Sequence, residues 1–308
     1  MREIVELSHG LSTKPPAGGG IGFEAEAMAI LHASTLLTLV NDALTCMRNF
    51  RSLLMTHGDI SRLRSHDLPG FRNSIKQYNR AVGGLARQLS GNNRNSLEPA
   101  LYCCQLFISI DIMQRQFVSS IRHFMYGLRI MKAYHIRPEL DDAGILVLPT
   151  YHGLPAVDIF VIKLFTASCP YPIRMVRDLV PAQSGADHTA NDQSRNELAL
   201  IKCQNKLTSI ATETVDLLGK ISAIRSTNET FILLAEKHRL LSTLDACTGE
   251  IITEENSSTS PPLMARFQLL FYSVLRVVLR SALRYPVGPS LEDDYNQMIS
   301  IAETLIDP

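Results

Sequence analysis

The chain has 308 residues, of which 45% are hydrophobic, and its 30 basic side chains equal its 30 acidic ones. This composition can supply a continuous core, and the zero net charge excludes an overall field that would draw the protein to nucleic acid or an anionic membrane. The most apolar runs are interrupted by charged residues or prolines, and no secretory signal is recognisable, so we expect an intracellular soluble protein.

The N-terminal residues 1–22 are rich in proline and glycine and lack helical periodicity, which predicts a flexible segment. From residue 23 onward, apolar residues recur every three or four positions, as is typical of amphipathic helices. Helices are predicted, in chain order, at 23–54 (one or two), 71–89, 96–131 (one long helix or two), 157–167, 197–222, 231–244, 267–283 and 291–306. Polar passages at 181–194 and 247–262 predict exposed loops.

No strand is predicted, because polar and apolar positions do not alternate regularly anywhere in the chain. The short apolar run at 145–149 fits either an extended segment or a buried loop, and no repeat of 20 to 50 residues is present. We therefore predict an all-α fold in which antiparallel helical hairpins form a multi-helix array around one extended core. This domain is expected to cover residues 23–308.

Charge is distributed unevenly along the chain. Between positions 46 and 94, nine basic residues outnumber two acidic ones, whereas residues 291–308 contain five acids and no base. The basic segment could bind an acidic partner or could simply be a solvated helix face and loop, and the sequence leaves both interpretations open.

The six cysteines, at positions 46, 103, 104, 169, 203 and 247, are too scattered for a disulfide framework, so we expect reduced thiols. Zinc clusters need closely spaced Cys-x-x-Cys pairs, which are absent, and Cys103 and Cys104 are expected to be small apolar residues of a packed helix. Sequence motifs of metalloproteases, phosphate-binding loops and serine hydrolases are also absent. We therefore predict no catalytic, cofactor or metal site.

A single acid, Asp111, lies within an apolar helical stretch, where a carboxylate is costly unless it is paired. Arg122 and His123 are its candidate partners, although on one continuous helix Arg122 would lie about 16 Å away. A helical hairpin would bring these residues together, and we predict a structural ion pair or hydrogen bond among Asp111, Arg122 and His123. The alternative is a helical enzyme or ligand-binding protein with a cavity lined by His123, Asp111, Tyr78 or Tyr102.

Several segments together resemble a known family. Residues 78–132 contain Tyr78-Asn-Arg-Ala81, then Ala100-Leu101-Tyr102-Cys103-Cys104-Gln105-Leu106-Phe107, Asp111, and Arg122-His123, and residues 152–165 begin His152-Gly-Leu-Pro-Ala-Val-Asp. In these features the chain resembles the fungal-specific transcription factor domain, the middle regulatory region of fungal zinc-cluster transcription factors. The resemblance extends over most of the chain, about 23–306, but not to the zinc cluster itself.

This resemblance implies a nuclear, helical regulatory domain that contacts other proteins and is often linked to secondary metabolism. The implied partner is either a full-length zinc-cluster factor or a second copy of the chain, with no sequence-specific DNA binding by this chain alone and no membrane association. The chain would then either modulate a complete factor or be a remnant that has lost its cluster. In the family the acid and histidine have no known chemical role, which supports a structural function for Asp111 and His123.

Overall fold

The computed structural model describes residues 20–57, 69–89, 97–151, 153–168, 189–255, 263–283 and 291–305. Nearly all of these residues are helical, so the predicted all-α class is confirmed. The elements are α1 (Gly20–His57), α2 (Pro69–Leu89), α3 (Leu97–Met113), α4 (Phe117–Ala133), β1 (Glu139–Leu140), β2 (Leu146–Val147), α5 (Val157–Ser168), α6 (Thr189–Ala223), α7 (Thr227–Glu255), α8 (Leu263–Ser281) and α9 (Glu292–Thr304). None of the described helices contains a segment with the length and hydropathy of a bilayer span.

A short β-ladder departs from the prediction that the chain has no strand. Strands β1 and β2 pair antiparallel, with Glu139 opposite Val147. The turn between them is held by the carboxylate of Asp141, whose Oδ1 accepts hydrogen bonds from the backbone N–H of Ala143 at 3.0 Å and of Ile145 at 2.8 Å. Two residues per strand are too few to produce a recognisable alternation, so sequence periodicity could not reveal this ladder.

Some residues predicted to be loop are helical. Helix α6 already begins at Thr189 and α7 continues to Glu255, so the loop predictions are wrong for 189–194 and 247–255. Polar residues within a long helix resemble a loop in composition, and no proline interrupts either stretch. The remainders, 181–188 and 256–262, lie outside the described residues, as do residues 1–19 of the predicted flexible segment; its last three residues, from Gly20, are the start of α1.

The α3–α4 region is a hairpin of two helices, which settles the question that periodicity left open. The chain reverses at residues 114–116, where the N–H of Gln116 donates to the carbonyl of Asp111 at 2.8 Å. Arg115 takes the left-handed conformation with φ of 58°, a role that glycine usually fills. The reversal brings the end of α3 alongside the start of α4.

Buried apolar residues form two clusters on the two sides of α3. The N-terminal cluster joins α1, α2 and α3 and contains Ala43, Cys46, Phe50, Ala81, Leu85, Ala100, Cys103, Phe107 and Ile110. The main cluster joins the other side of α3, including Leu101 and Ile108, to α4 through α9. The predicted single extended core is therefore divided in two, because α3 is apolar on nearly all sides and is covered on both.

Helix α8 lies at the centre of the main cluster. Phe271 and the residues from Val274 to Val278 are almost completely buried, apart from Arg276 at one edge. The ring of Phe165 from α5 stacks against Phe267 and Phe271, with centroids 5.4 and 5.6 Å apart. The apolar character of this helix thus reflects burial within its own domain.

Two close contacts fix α5 against its neighbours. A Cβ atom added to Gly127 of α4 would lie only 2.8 Å from Cγ1 of Val157, so a glycine allows the two helices to approach. The buried carboxylate of Asp158 accepts a hydrogen bond from Arg137 Nη2 at 2.7 Å, while Arg137 Nη1 donates to the carbonyl of Leu218 in α6 at 3.2 Å. This buried ion pair ties α5 and α6 to the segment before β1.

Candidate functional site

Three polar side chains from three helices meet at the boundary between the two clusters. The hydroxyl of Tyr78, on α2, lies 2.9 Å from Asp111 Oδ1 on α3 and 3.1 Å from His123 Nε2 on α4. The second carboxylate oxygen, Asp111 Oδ2, lies 3.6 Å from His123 Nε2 and is buried without a hydrogen-bond partner. We call this group of Tyr78, Asp111 and His123 the polar triad.

Burial determines the charge of the polar triad. The Asp111 side chain is completely buried and that of His123 is 17% exposed. Desolvation raises the pKa of Asp111 to about 7, although the hydrogen bond from Tyr78 partly opposes this rise. Desolvation also lowers the pKa of His123 to about 4, so at neutral pH the imidazole is uncharged. The contact between Asp111 and His123 is therefore not a strong ion pair at neutral pH.

Hydrogen-bond roles follow from these charges. The Tyr78 hydroxyl has one proton, which it donates to Asp111 Oδ1, and it can accept the Nε2–H of a neutral His123. The ring of Phe107 covers the group, with centroids 5.4 Å from Tyr78 and 5.1 Å from His123. The triad thus joins α2, α3 and α4, with Asp111 fully buried and with Tyr78 and His123 half-buried against Phe107.

The sequence-predicted candidates separate into two groups. Asp111 and His123 come together, and Tyr78, which the sequence placed only among possible cavity residues, is the hydrogen-bond partner of both. Arg122 is exposed on the outside of α4, and the predicted pairing with Asp111 is not formed. Consecutive residues of a helix point about 100° apart, so Arg122 and His123 could not both face the same carboxylate. Tyr102 also lies at the surface.

The thiols near the triad are protonated at neutral pH. Burial raises the pKa of Cys46, Cys103 and Cys104 to about 12, and Cys46 Sγ also contacts the backbone carbonyl of Ser74 at 3.2 Å. Metal binding needs the thiolate form, which this environment disfavours. Within the described ranges, no three histidine, cysteine or acidic side chains are close enough to hold a metal ion.

Two surface cavities lie away from the polar triad. One, of about 380 Å³, lies between α4 and α9 and is lined by Met131, Arg137 and Tyr295 among others. The other, of about 200 Å³, is lined by Met131 and Arg137 together with Tyr151 and neighbouring residues. No member of the triad lines either cavity, so these two cavities do not lead to Asp111 or His123.

Comparison with curated proteins identifies two relatives. The chain is 35% identical to the transcription regulator lscL of Purpureocillium lilacinum over 294 residues, which cover 91% of this chain and 70% of lscL. It is 28% identical over 118 residues to the aspercryptin biosynthesis cluster-specific transcription regulator atnN of Emericella nidulans, a match that covers 38% of this chain and 19% of atnN. No protein-family model and no solved structure matches the chain.

Proposed function

The chain belongs to the family of fungal transcription regulators that includes lscL, and we propose that it regulates transcription of a secondary-metabolite gene cluster. The similarity to lscL over 91% of the chain carries this proposal. The name of atnN, which ties that relative to one biosynthetic cluster, supports the link to secondary metabolism. The finer assignment, to the fungal-specific transcription factor domain, rests on the resemblance of residues 78–132.

In the proposed mechanism the helical domain acts in the nucleus through a protein partner, either a full-length zinc-cluster factor or a second copy. It does not read a DNA sequence by itself. The wide spacing of the six cysteines supports this, as do the raised pKa values of Cys46, Cys103 and Cys104. Cys46 and Cys103 are buried in the N-terminal cluster and Cys104 in the main cluster, each among closely packed apolar side chains.

The polar triad has a structural function in this proposal. Tyr78 and Asp111 connect α2 to α3, and Tyr78 and His123 connect α2 to α4, so one hydroxyl joins three helices. Burial under Phe107 supports this function over catalysis, because the reacting groups of an enzyme must be reached by substrate.

Deletion of the gene in its native fungus tests the function directly. We expect RNA sequencing to show a change confined to a contiguous group of biosynthetic genes, and we expect reintroduction of the chain to restore their transcripts. A fluorescent fusion should accumulate in the nucleus. Unchanged transcripts in the deletion strain under conditions in which the gene is expressed would contradict the proposal.

Two further assays separate partner-mediated action from direct DNA binding. Tethering the chain to a reporter promoter through an unrelated DNA-binding domain should change reporter expression, because recruitment no longer depends on the natural partner. The purified chain should give no sequence-specific shift with promoter fragments of the affected genes. A tight, sequence-specific shift would show that the chain has its own DNA reader.

A further inference from the structure

Two helices that are joined through the polar triad carry an excess of positive charge. Helices α2 and α4 together contain seven lysines and arginines and no aspartate or glutamate. The hydrogen bond between Tyr78 and His123 joins the two helices at one point. The three bases of α4 lie outside the basic segment 46–94 noted in the sequence.

Helix α4 presents this charge in a single stripe. Arg122, Tyr126, Arg129 and Lys132 are all exposed and follow one another at intervals of four and three residues, over about 15 Å of helix. Tyr126 is 54% exposed in the middle of the stripe, and the guanidinium of Arg129 lies 5.9 Å from the centre of its ring. The stripe thus combines a large apolar ring with cationic groups on both sides.

The cations of the stripe are not neutralised within the described part of the chain. Arg122 and Lys132 form no ion pair there, and the same is true of Arg72 and Lys76 on the exposed side of α2. Some exposed bases elsewhere pair with neighbouring acids: Lys220 contacts Glu236 at 2.9 Å, and Arg80 of α2 contacts Asp42. The cations of the stripe make no such pair in the described ranges and remain available to an outside partner.

We propose that this stripe, the α4 basic face formed by Arg122, Tyr126, Arg129 and Lys132, binds an acidic polypeptide segment of a partner protein. The proposal deepens the proposed function, on which it rests, by naming the chemistry of the partner. Tyrosine and arginine are enriched at protein interfaces, and exposed charges of one sign speed the encounter with an oppositely charged segment.

A polypeptide fits this face better than a nucleic acid. Glu139 and Glu292 share with Arg129 and Lys132 the lining of the larger cavity, at one end of the stripe. A nucleic-acid backbone continuing past that end would meet these carboxylates, whereas a short acidic segment can stop before them. The net charge of zero likewise gives no long-range attraction to DNA.

The test compares the wild type with two variants of equal net charge. Arg122→Glu/Arg129→Glu reverses two of the three cations of the basic face, and Lys163→Glu/Lys202→Glu reverses two exposed lysines on α5 and α6. Fluorescence anisotropy with fluorescein-labelled poly-L-glutamate should show a Kd about tenfold higher for the first variant only, since surface charge contacts contribute modestly. Added salt should weaken wild-type binding.

Three results would overturn the inference: no binding of polyglutamate by the wild type, equal loss in both variants, or tighter binding of a random-sequence DNA duplex than of polyglutamate. If circular dichroism shows that the first variant is unfolded, the milder Arg122→Gln/Arg129→Gln takes its place with the same criteria, matched by Lys163→Gln/Lys202→Gln. Failure of this inference leaves the transcript phenotype of the deletion strain intact, whereas failure of the proposed function would remove that phenotype.

Discussion

Asp111 and His123 titrate over the same pH range with opposite effects on the free energy of unfolding. In the folded protein the pKa of Asp111 is about 7, against an ordinary value of 3.8. The pKa of His123 is about 4, against 6.5. Their neighbours Tyr78 and Cys46 do not titrate in this range, since burial raises the pKa of both, that of Cys46 to about 12.

The sign of each effect follows from which state binds more protons. Between pH 4 and 7 the folded state holds a proton on Asp111 that the unfolded state has lost, so this residue makes the protein less stable as pH rises. Between pH 4 and 6.5 the unfolded state holds the extra proton, on His123, so this residue makes the protein more stable as pH rises. In the wild type the two contributions largely cancel.

Substituting one of the two residues leaves the pH dependence contributed by the other uncompensated. Each group alone changes the free energy of unfolding by about 1.4 kcal/mol per pH unit, for totals of about 4 kcal/mol for Asp111 and about 3 kcal/mol for His123. Relative to wild type, Asp111→Asn should gain stability as pH rises from 4 to 6.5. His123→Gln should lose stability over the same range.

Urea denaturation followed by far-UV circular dichroism, at pH steps between 4 and 7, measures these slopes. Titrations elsewhere in the chain are common to all variants and disappear in the difference from wild type. The double variant Asp111→Asn/His123→Gln is the control and should run parallel to wild type. Slopes of the same sign in the two single variants, or no slope in either, would refute the assignment of opposite desolvation effects to this pair.

Three further predictions concern packing, and urea denaturation tests each. Gly127→Ala should destabilise the protein by about 1–3 kcal/mol through overpacking against α5. Gly83→Ala places no atom within 4 Å of the new Cβ and should be neutral or stabilising. Equal effects of the two substitutions would contradict the close approach of α4 to Val157. Arg137→Met should lower the free energy of unfolding by about 3–5 kcal/mol, because it leaves the buried carboxylate of Asp158 without its cation. Arg239→Met removes one partner of an exposed ion pair and should change the free energy of unfolding little. An unchanged stability of the Arg137 variant would contradict burial of the pair. Phe165→Ala should cost about 3–5 kcal/mol, and a loss below about 1 kcal/mol would contradict its central position in the aromatic stack.

Helix content was predictable because burial imposes a period near 3.6 on the apolar residues, and this period survives in single segments such as α4 and α9. The position of the turn between α3 and α4 was not predictable, because Arg115 adopts the left-handed conformation there and the turn contains no glycine. The division of the core was also hidden. The sequence of a helix that is apolar on nearly all sides, such as α3, indicates that the helix is buried, but not that two separate groups of helices cover it.

The candidate site was predictable in part. A carboxylate within an apolar helix indicates a buried partner, and this reasoning located Asp111 and the neighbourhood of His123. It could not choose between Arg122 and His123, because the choice depends on which side of α4 faces α3. Tyr78 lies 33 residues before Asp111, and a contact over that separation leaves no trace in local periodicity.

The position of α3 between the two apolar clusters has a consequence for how the molecule unfolds. Phe107 and Ile110 belong to one cluster, while Leu101 and Ile108, on the same helix, belong to the other. If the helices around one cluster unfolded, the side of α3 that they cover would be exposed to solvent, while its other side still packs in the remaining cluster. Neither group of helices is therefore a self-sufficient folding unit. The α1–α2 hairpin and the C-terminal helices should therefore denature in one cooperative transition, although they share few direct contacts.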